Sequence, residues 1–300
     1  MDKFLENFPI QKIVPNDKLF PKQLKNISEA PKELFFRGNF KKPAEKNFAI
    51  VGTRLCSNYG KEIAFSIAKD LSQAGFCIVS GMALGIDTLA HQGALKASRP
   101  HGFASCPTVA VLGTGLDEKS IYPQENLKLA KEILEKNGCL ISEYPTLTRG
   151  TSFTFPKRNR IIAGLSIGTL VVEAKIKSGA LITANYAKKY KKQIFAVPGD
   201  IHNQNSKGCH LLIKQEAFLV ENANDILTKL GEEKISPNQK LFLTPQENLV
   251  MNALLNGALH IDKIIEITKL PSSVVSGIIC IMELEDKIKN LGGNTYSKVS

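Results

Sequence analysis

The segment with the clearest chemical character runs from Phe153 to Arg160 (FTFPKRNR). It places two phenylalanines beside three cations and an asparagine. Cations can follow a phosphate backbone while an aromatic face stacks an unpaired base, a combination that suits single-stranded nucleic acid. From the residues alone, the start of a solvated basic helix with Phe155 in the core is an equal alternative. The candidate binding residues of this segment are Phe155, Lys157, Arg158, Asn159 and Arg160.

Three glycine-containing segments have the composition to bring backbone N–H groups close to an anion. In the first, a glycine follows an apolar run and Arg54 adds a planar cationic fork. In the second, Ser80-Gly81 also follows an apolar run, and in the third, Ser178-Gly179 opens a helical segment. Tight turns, or a plain helix cap by Ser178, explain the same residues without a ligand. The candidates here are Gly52, Thr53, Arg54, Ser80, Gly81, Lys175, Ser178 and Gly179.

Asp87 and His91 lie four residues apart, a spacing that lets them face one another on a helix. A catalytic pair needs a nucleophile, and none lies nearby in the sequence. We therefore favour structural roles, with Asp87 orienting or capping the chain and His91 packing against a sheet. The chain has neither G-x-G-x-x-G nor a P-loop motif, and its six cysteines form no C-x-x-C. The sequence thus predicts no catalytic residue, cofactor or metal site.

Six apolar runs alternate with helical segments between residue 48 and about residue 220. The runs are continuously apolar, as in parallel strands that are covered on both faces. This alternation predicts an α/β fold with a doubly wound parallel sheet of Rossmann type. In such a sheet the carboxyl ends of the strands meet at one edge, so the candidate segments should converge there. The predicted strands cover residues 48–52, 76–80, 108–112, 139–142, 170–173 and 194–198.

The rest of the chain divides into three further parts. Residues 1–45 hold four prolines before Pro43 and predict an irregular or partly helical lead-in to the Rossmann-like domain of residues 46–230. Residues 231–243 turn polar and predict a linker. Residues 244–300 carry three helical segments and a hairpin around Gly292-Gly293, which is the plan of a small winged-helix domain.

Charge locates a polyanion site in the middle of the chain. The net charge is +11 and the isoelectric point is near 9.3, a balance that favours polyanionic partners. Residues 149–192 contain ten basic residues and one acid, a net charge of +9, whereas residues 240–300 contain six lysines and six acids. Any polyanion should therefore bind the Rossmann-like domain.

Composition excludes several other classes of protein. With 43% hydrophobic and 22% charged residues, the 300-residue chain is neither disordered nor fibrous. Its N-terminus carries acids and prolines instead of a signal peptide's apolar core, and no apolar run reaches the length of a membrane span. We expect a cytoplasmic protein with no membrane association and with reduced cysteines.

These segments, in this order, resemble the DNA-processing protein A family (DprA/Smf). The resemblance covers about residues 50–215. The matching segments are VGTR (51–54), SGMALGIDTLAHQGAL (80–95), VAVLGTGLD (109–117), YP (122–123), ISEYP (141–145), FPKRNRIIAGLS (155–166), SGALITA (178–184) and FAVPGDI (195–201).

The resemblance implies an extended Rossmann fold, homodimers, and a protein that is not an enzyme. It implies binding of single-stranded DNA in the cytosol and loading of the RecA recombinase during natural transformation. It also implies a DNA pocket that uses Arg54 together with Phe155, Arg158, Asn159 and Arg160.

Two rival functions have weaker support in the sequence. A Rossmann-like nucleotide phosphoribohydrolase of the lysine-decarboxylase-like group would need G-G-x-G-T-x-x-E, and Gly168-Thr169 with Glu173 is only a partial match. A transcription factor would place cations or amides on the recognition helix of its C-terminal domain. Residues 271–286 contain no lysine or arginine and three acids, which argues against reading of duplex DNA.

Overall fold

The computed structural model describes residues 7–40, 46–97, 106–235, 244–284 and 287–298. The chain divides into two compact units, Met1–Ile235 and Ser236–Ser300. Residues 236–243, most of the predicted linker, lie outside the described residues, as do residues 41–45 at the end of the predicted lead-in. The division into lead-in, main domain, linker and tail stays a prediction.

A nine-stranded sheet forms the centre of the first unit. Its strand order is β1-β2-β6-β5-β4-β3-β7-β8-β9, and all pairs from β6 to β9 are parallel. The strands are β1 Gln11–Ile13, β2 Leu34–Gly38, β3 Asn47–Gly52, β4 Cys77–Ser80, β5 Thr108–Leu112, β6 Cys139–Ser142, β7 Gly168–Val172, β8 Gln193–Ala196 and β9 Phe218–Leu219. The six predicted strands are confirmed, with small shifts at their ends.

The sheet is apolar on both faces because helices cover both. In β3, Ala49 and Val51 belong to the core on one face, while Phe48 and Ile50 belong to the core on the other. Each fully buried side chain of this size contributes about 1.5–3 kcal/mol to folding. The helices are α1 Lys22–Lys25, α2 Asn58–Gln73, α3 Ile86–Lys96, α4 Leu127–Glu135, α5 Thr154–Leu165, α6 Gly179–Lys189, α7 Lys207–Lys214 and α8 Ala223–Leu230.

The lead-in differs from its prediction. It is not merely irregular or helical, because β1 and β2 extend the sheet, with β2 antiparallel to β6. Leu34 and Phe36 are buried and alternate with the half-buried Phe35, a period of two that fits a strand. The prolines around this short run concealed the pattern from sequence inspection.

The second unit is a small winged helix with its own core. The turn at Gly292-Gly293-Asn294, all with positive φ, connects the last two strands as the sequence predicted. Its elements are α9 Pro245–Ala253, β10 Leu259–His260, α10 Ile261–Thr268, α11 Ser272–Leu284, β11 Ile288–Gly292 and β12 Thr295–Lys298. Together with the sheet of the first unit, this confirms the predicted fold class.

Among the described residues, no single helix has both the length and the apolar composition needed to cross a membrane. Two helices of the second unit, α10 and α11, meet those criteria only when taken together across a 116° bend.

Candidate nucleic-acid interface

The strand order of the sheet reverses at the neighbouring strands β3 and β7. From β3 the chain continues through β4, β5 and β6 on one side, then returns to β7 on the other side. Ligands of doubly wound sheets bind in the crevice that such a reversal opens at the carboxyl ends of the strands. A cleft of about 620 Å³ lies there, and we call it the switch-point cleft. It is lined by Gly52, Thr53, Arg54, Phe155, Arg158, Asn159, Lys175, Ser178 and Gly179, among others.

The loop after β3 holds Arg54 at the mouth of the switch-point cleft. The backbone N–H of Thr53 donates to the Glu173 carbonyl at 2.8 Å, and the Thr53 carbonyl accepts from Ile86 N–H at 3.2 Å. These bonds tie the loop to the end of β7 and to the start of α3. The exposed guanidinium of Arg54 lies 5.9 Å from the centre of the Phe155 ring, within the range of a cation–π contact.

Helix α5 divides the predicted FPKRNR segment between two faces. Phe155, Arg158 and Asn159 line the switch-point cleft, as expected for positions three and four apart on a helix. Lys157 and Arg160 face Glu143, with Nζ–Oε2 at 3.8 Å and Nη2–Oε1 at 2.5 Å. Only part of the predicted segment therefore reaches the cleft.

Phe155 is half-buried between Gly113 and Gly150, where any larger residue would clash with its ring. A Cβ built on Gly150 would overlap the far end of the ring, and one on Gly113 would lie 2.9 Å from it. The Tyr122 ring is 5.4 Å away, centre to centre, and tilted. Phe155 is thus held in place as part of an aromatic surface, whereas Phe153, 72% exposed, is held by no aromatic contact among the described residues.

Arg158 is buried and fixes the geometry of the cleft floor. Its Nη1 donates to the Gly81 carbonyl at 2.5 Å and to the Val111 carbonyl, and its Nε donates to Asn159 Oδ1 at 3.1 Å. Burial lowers the pKa of Arg158 to about 10, and the nearby Asp87 carboxylate opposes that shift. The side chain remains a cation at neutral pH, and it joins the ends of β4 and β5 through these carbonyls.

Asn159 connects this floor to the start of α6. Its Nδ2 donates to the Gly179 carbonyl at 3.1 Å. Ser178 caps the same helix by accepting from Ala180 N–H, so the structure bears out the capping role. Lys175 and Lys177 are exposed in the loop before that cap, and both line the cleft.

Four candidate residues do not line the switch-point cleft. Ser80 is fully buried, and its hydroxyl donates to the Ile50 carbonyl at 2.6 Å. Gly81 lies under Arg158, where a Cβ would come within 2.6 Å of the guanidinium. Lys157 and Arg160 face Glu143, and only 2% of Arg160 is exposed. For Arg160, this burial and the ion pair with Glu143 favour a structural role over the expected phosphate contact.

The structural interpretation of Asp87 and His91 is confirmed. Asp87 is buried and accepts from Ala83 N–H at 3.3 Å, and burial raises its pKa. His91 is buried with Nδ1 2.6 Å from Thr108 Oγ1. Burial lowers the pKa of His91 to about 3, so the imidazole is neutral.

Glu173, the acid of the rival hydrolase motif, has a structural partner as well. Its carboxylate accepts from Ser57 N–H at 2.9 Å and from Ser57 Oγ at 2.5 Å. Both bonds lie at the start of α2, where a carboxylate is favourable. Within the described residues, no group of three or more His, Cys, Asp or Glu is arranged to hold a metal ion.

Sequence inspection missed several residues that belong to the site. Tyr122 was noted only as part of a matching segment, although its ring lies beside Phe155. Lys177 lines the cleft and could have been found, since it belongs to the +9 segment and precedes Ser178. Ser152 and Thr183 also line it. Thr183 was noted only as part of the matching segment SGALITA, and no sequence signal marks Ser152.

Two family models match the chain and together cover most of it. Residues 11–231 match DNA recombination-mediator protein A, and residues 232–294 match the DprA winged helix domain.

The relatives of the chain include proteins from several bacteria. Protein Smf from Escherichia coli is 40% identical over 223 residues, which are 74% of this chain and 57% of that protein. The chain thus spans a little over half the length of that relative.

Two solved structures resemble the first unit. DNA processing protein A from Streptococcus pneumoniae is 38% identical, with a TM-score of 0.67 and 76% of each chain covered. DNA processing protein A from Helicobacter pylori, whose structure addresses its single-stranded DNA binding mode, is 29% identical, with a TM-score of 0.64, and covers 76% of this chain and 98% of that one.

Proposed function

The chain belongs to the DNA recombination-mediator protein A family, and from this premise we propose that its switch-point cleft binds single-stranded DNA. The observation that carries the proposal is the pairing of an exposed cation with an aromatic ring, Arg54 over Phe155 at 5.9 Å. This pair lies in an open cleft at the carboxyl edge of the sheet. A nucleotide presents a matching pair of groups, an anionic phosphate for the cation and the flat face of a base for the ring.

The aromatic surface favours an unpaired base. Phe155 and the half-exposed Tyr122 lie side by side, and a base must leave its duplex partner before a ring can stack on its face. Three exposed cations line the cleft, Arg54 after β3 and Lys175 and Lys177 after β7. These cations suit a backbone that crosses the cleft.

Asp87 is the acid that lines the cleft, and it is buried. Burial raises the pKa of Asp87, and the charge of the nearby Arg158 opposes that shift, so Arg158 is the partner of this carboxyl group. Arg158 uses Nε and Nη1 for protein acceptors. We therefore assign Arg158 and Asn159 to positioning the cleft, and Arg54, Lys175 and Lys177 to direct contact with phosphates.

The wider role follows from the family. We propose that the chain acts without catalysis, in the cytosol, as a homodimer that delivers single-stranded DNA to the RecA recombinase during natural transformation. The edge strand β9, whose Phe218 and Leu219 are partly exposed, supports a contact between two copies. RecA filament formation on single-stranded DNA, with and without the protein, tests the delivery step.

Fluorescence anisotropy with single-stranded and duplex oligonucleotides over a salt series tests the binding itself. We expect tighter binding of the single strand and an affinity that falls as salt rises. A chain that ends near residue 235 should bind as well as the full chain, because the first unit has its own cores and holds the whole cleft. A folded truncated protein that loses binding would refute this assignment.

A further inference from the structure

The switch-point cleft leaves much of the basic segment of residues 149–192 unexplained. Of its ten cations, Arg158, Lys175 and Lys177 line that cleft. Four others lie at the opposite end of α6 or just beyond it, namely Lys188, Lys189, Lys191 and Lys192. Lysines near a helix C-terminus interact favourably with the helix dipole, but that interaction does not require the lysines to line a cleft.

A second cleft, of about 640 Å³, does lie at that end of α6. Lys189, Lys191 and Lys192 line one side of it, and Lys22 of the lead-in lines another. We call it the lysine cleft. Gln23 and Asn26 add hydrogen-bonding groups to its wall, and Tyr190 also lines it. It has about the same volume as the switch-point cleft but is lined by four lysines and no acid.

Three of these lysines are available to a ligand. Lys189 pairs with Glu29 at 2.6 Å. For Lys22, Lys191 and Lys192, no ion pair is present within the described part of the chain.

Lys191 has a left-handed backbone conformation, which favours glycine over other residues. Its φ is +55°, and its N–H donates to the Lys188 carbonyl while Lys192 N–H donates to the Ala187 carbonyl. This is the Schellman ending of a helix, in which the left-handed residue is usually glycine. The position accepts a lysine at a steric cost that glycine would avoid.

One cation, Lys157, lies near both clefts. Helix α6 separates them by 11 residues, or roughly 16 Å at 1.5 Å per residue. Lys157 lies on α5, which packs against α6, within one turn of Phe155 and Arg158 of the switch-point cleft. The pKa of Glu29 is lowered first by the hydrogen bond from Lys189 and also by the charges of Arg160 and Lys157, so Lys157 lies in the electrostatic range of the rim of the lysine cleft.

We propose that the lysine cleft is a second phosphate-binding site, which holds the backbone of a single strand after it leaves the switch-point cleft. The proposal rests on the proposed function, because the strand must first occupy the switch-point cleft. The ligand is the phosphodiester backbone. The wall offers cations and polar groups, and the ring of Tyr190 is half-buried and stacked with Tyr186. Contacts to phosphates carry no sequence information, so this site should be indifferent to base sequence.

The test compares the full chain with Lys191→Gly/Lys192→Ala. Glycine suits the left-handed position, so the variant should fold at least as well as the parent. The matched control, Lys96→Ala/Lys128→Ala, removes two exposed lysines that line neither cleft. Two oligonucleotides are used, one of about 5 nucleotides, near the lower end of single-strand site sizes, and one of about 20, beyond the upper end.

We expect the variant to bind the short strand like the parent. On the long strand the slope of log K against log salt should become shallower by about 1.4, or about 0.7 for each lost phosphate contact. The control should match the parent on both strands.

An unchanged slope on the long strand would overturn the proposal and leave the lysines as helix-end charges only. Equal losses on both strands would also overturn it, since they indicate a diffuse electrostatic effect. A parent that binds neither strand would refute the proposed function and the second site with it. A parent that binds only the long strand, with a loss in the variant, would refute the switch-point cleft while leaving the lysine cleft standing.

Discussion

Replacement of Phe155 by leucine separates base stacking from core packing. The ring lies against Gly113 and Gly150, 5.4 Å from the Tyr122 ring and 5.9 Å from the Arg54 guanidinium. Leucine keeps most of the apolar volume but has no π face. Loss of one stacked base costs about 1–3 kcal/mol, which weakens binding about 5- to 150-fold. The free energy of unfolding should fall by less than about 1.5 kcal/mol, as for other swaps of similar volume.

The assay is anisotropy with a labelled single strand over a salt series, and urea unfolding measures stability in parallel. Because leucine removes no charge, the slope of log K against log salt should stay at the parent value. Phe153→Leu is the matched control, since it makes the same chemical change two residues away at a ring that is 72% exposed.

Two results would refute the reasoning. If Phe155→Leu binds like the parent while it is folded, the ring belongs to the core and does not stack a base. If only Phe153→Leu weakens binding, the exposed ring is the stacking residue. A changed salt slope in Phe155→Leu would show that the substitution had displaced Arg54, the cation that rests on the ring.

Three further predictions follow from the same contacts. Arg54→Ala should weaken binding of a single strand more than Lys189→Ala in a direct titration, because Lys189 already pairs with Glu29; equal losses would contradict a defined cleft. Arg160→Ala should lower the free energy of unfolding by about 1.5–3 kcal/mol, since it removes the 2.5 Å bond to the largely buried Glu143 and leaves that carboxylate with Lys157 at 3.8 Å. In the folded protein it should leave the salt slope unchanged; a lost phosphate contact would instead reduce the slope. The folded pKa of His91 is about 3 and its reference value is 6.5, so its stabilising effect is complete above pH 6.5 and is lost as the pH falls. From about pH 7 to about pH 5 the parent should lose about 2 kcal/mol more stability in urea unfolding than His91→Gln, and parallel profiles would show that His91 titrates normally.

The fold could be predicted from the sequence wherever a strand is long and buried on both faces. The apolar runs of β3 and β5 are five or six residues long and almost wholly buried, and their pattern has no competing explanation. The strands that were missed are short or lie near the sheet edge. Strand β1 has three residues and β9 has two, too few for a period to be visible, and their place in the sheet depends on pairing with distant segments.

The position of the site could also be predicted, because parallel strands bring their carboxyl ends to one edge. The roles of its residues could not. Arg54 and Arg158 are alike in the sequence, yet Arg54 is exposed at the mouth and Arg158 is buried against Gly81. The Arg158 guanidinium is engaged by the carbonyl of Gly81, directly after β4, and by that of Val111 in β5. The sequence around Arg158 does not identify these distant acceptors.

Helix α5 shows why a continuous segment does not have a single role. At 3.6 residues per turn, Phe155, Arg158 and Asn159 share a face, and Lys157 and Arg160 lie on another. The first face meets the cleft, while the second meets Glu143, which directly follows β6. Nothing in the segment itself identifies that carboxylate as the partner of Arg160. The chain therefore uses one arginine to bind the acid that follows β6 and another to hold the ends of β4 and β5. Under the proposed function, direct contact with phosphates is left to the exposed cations of the loops around them.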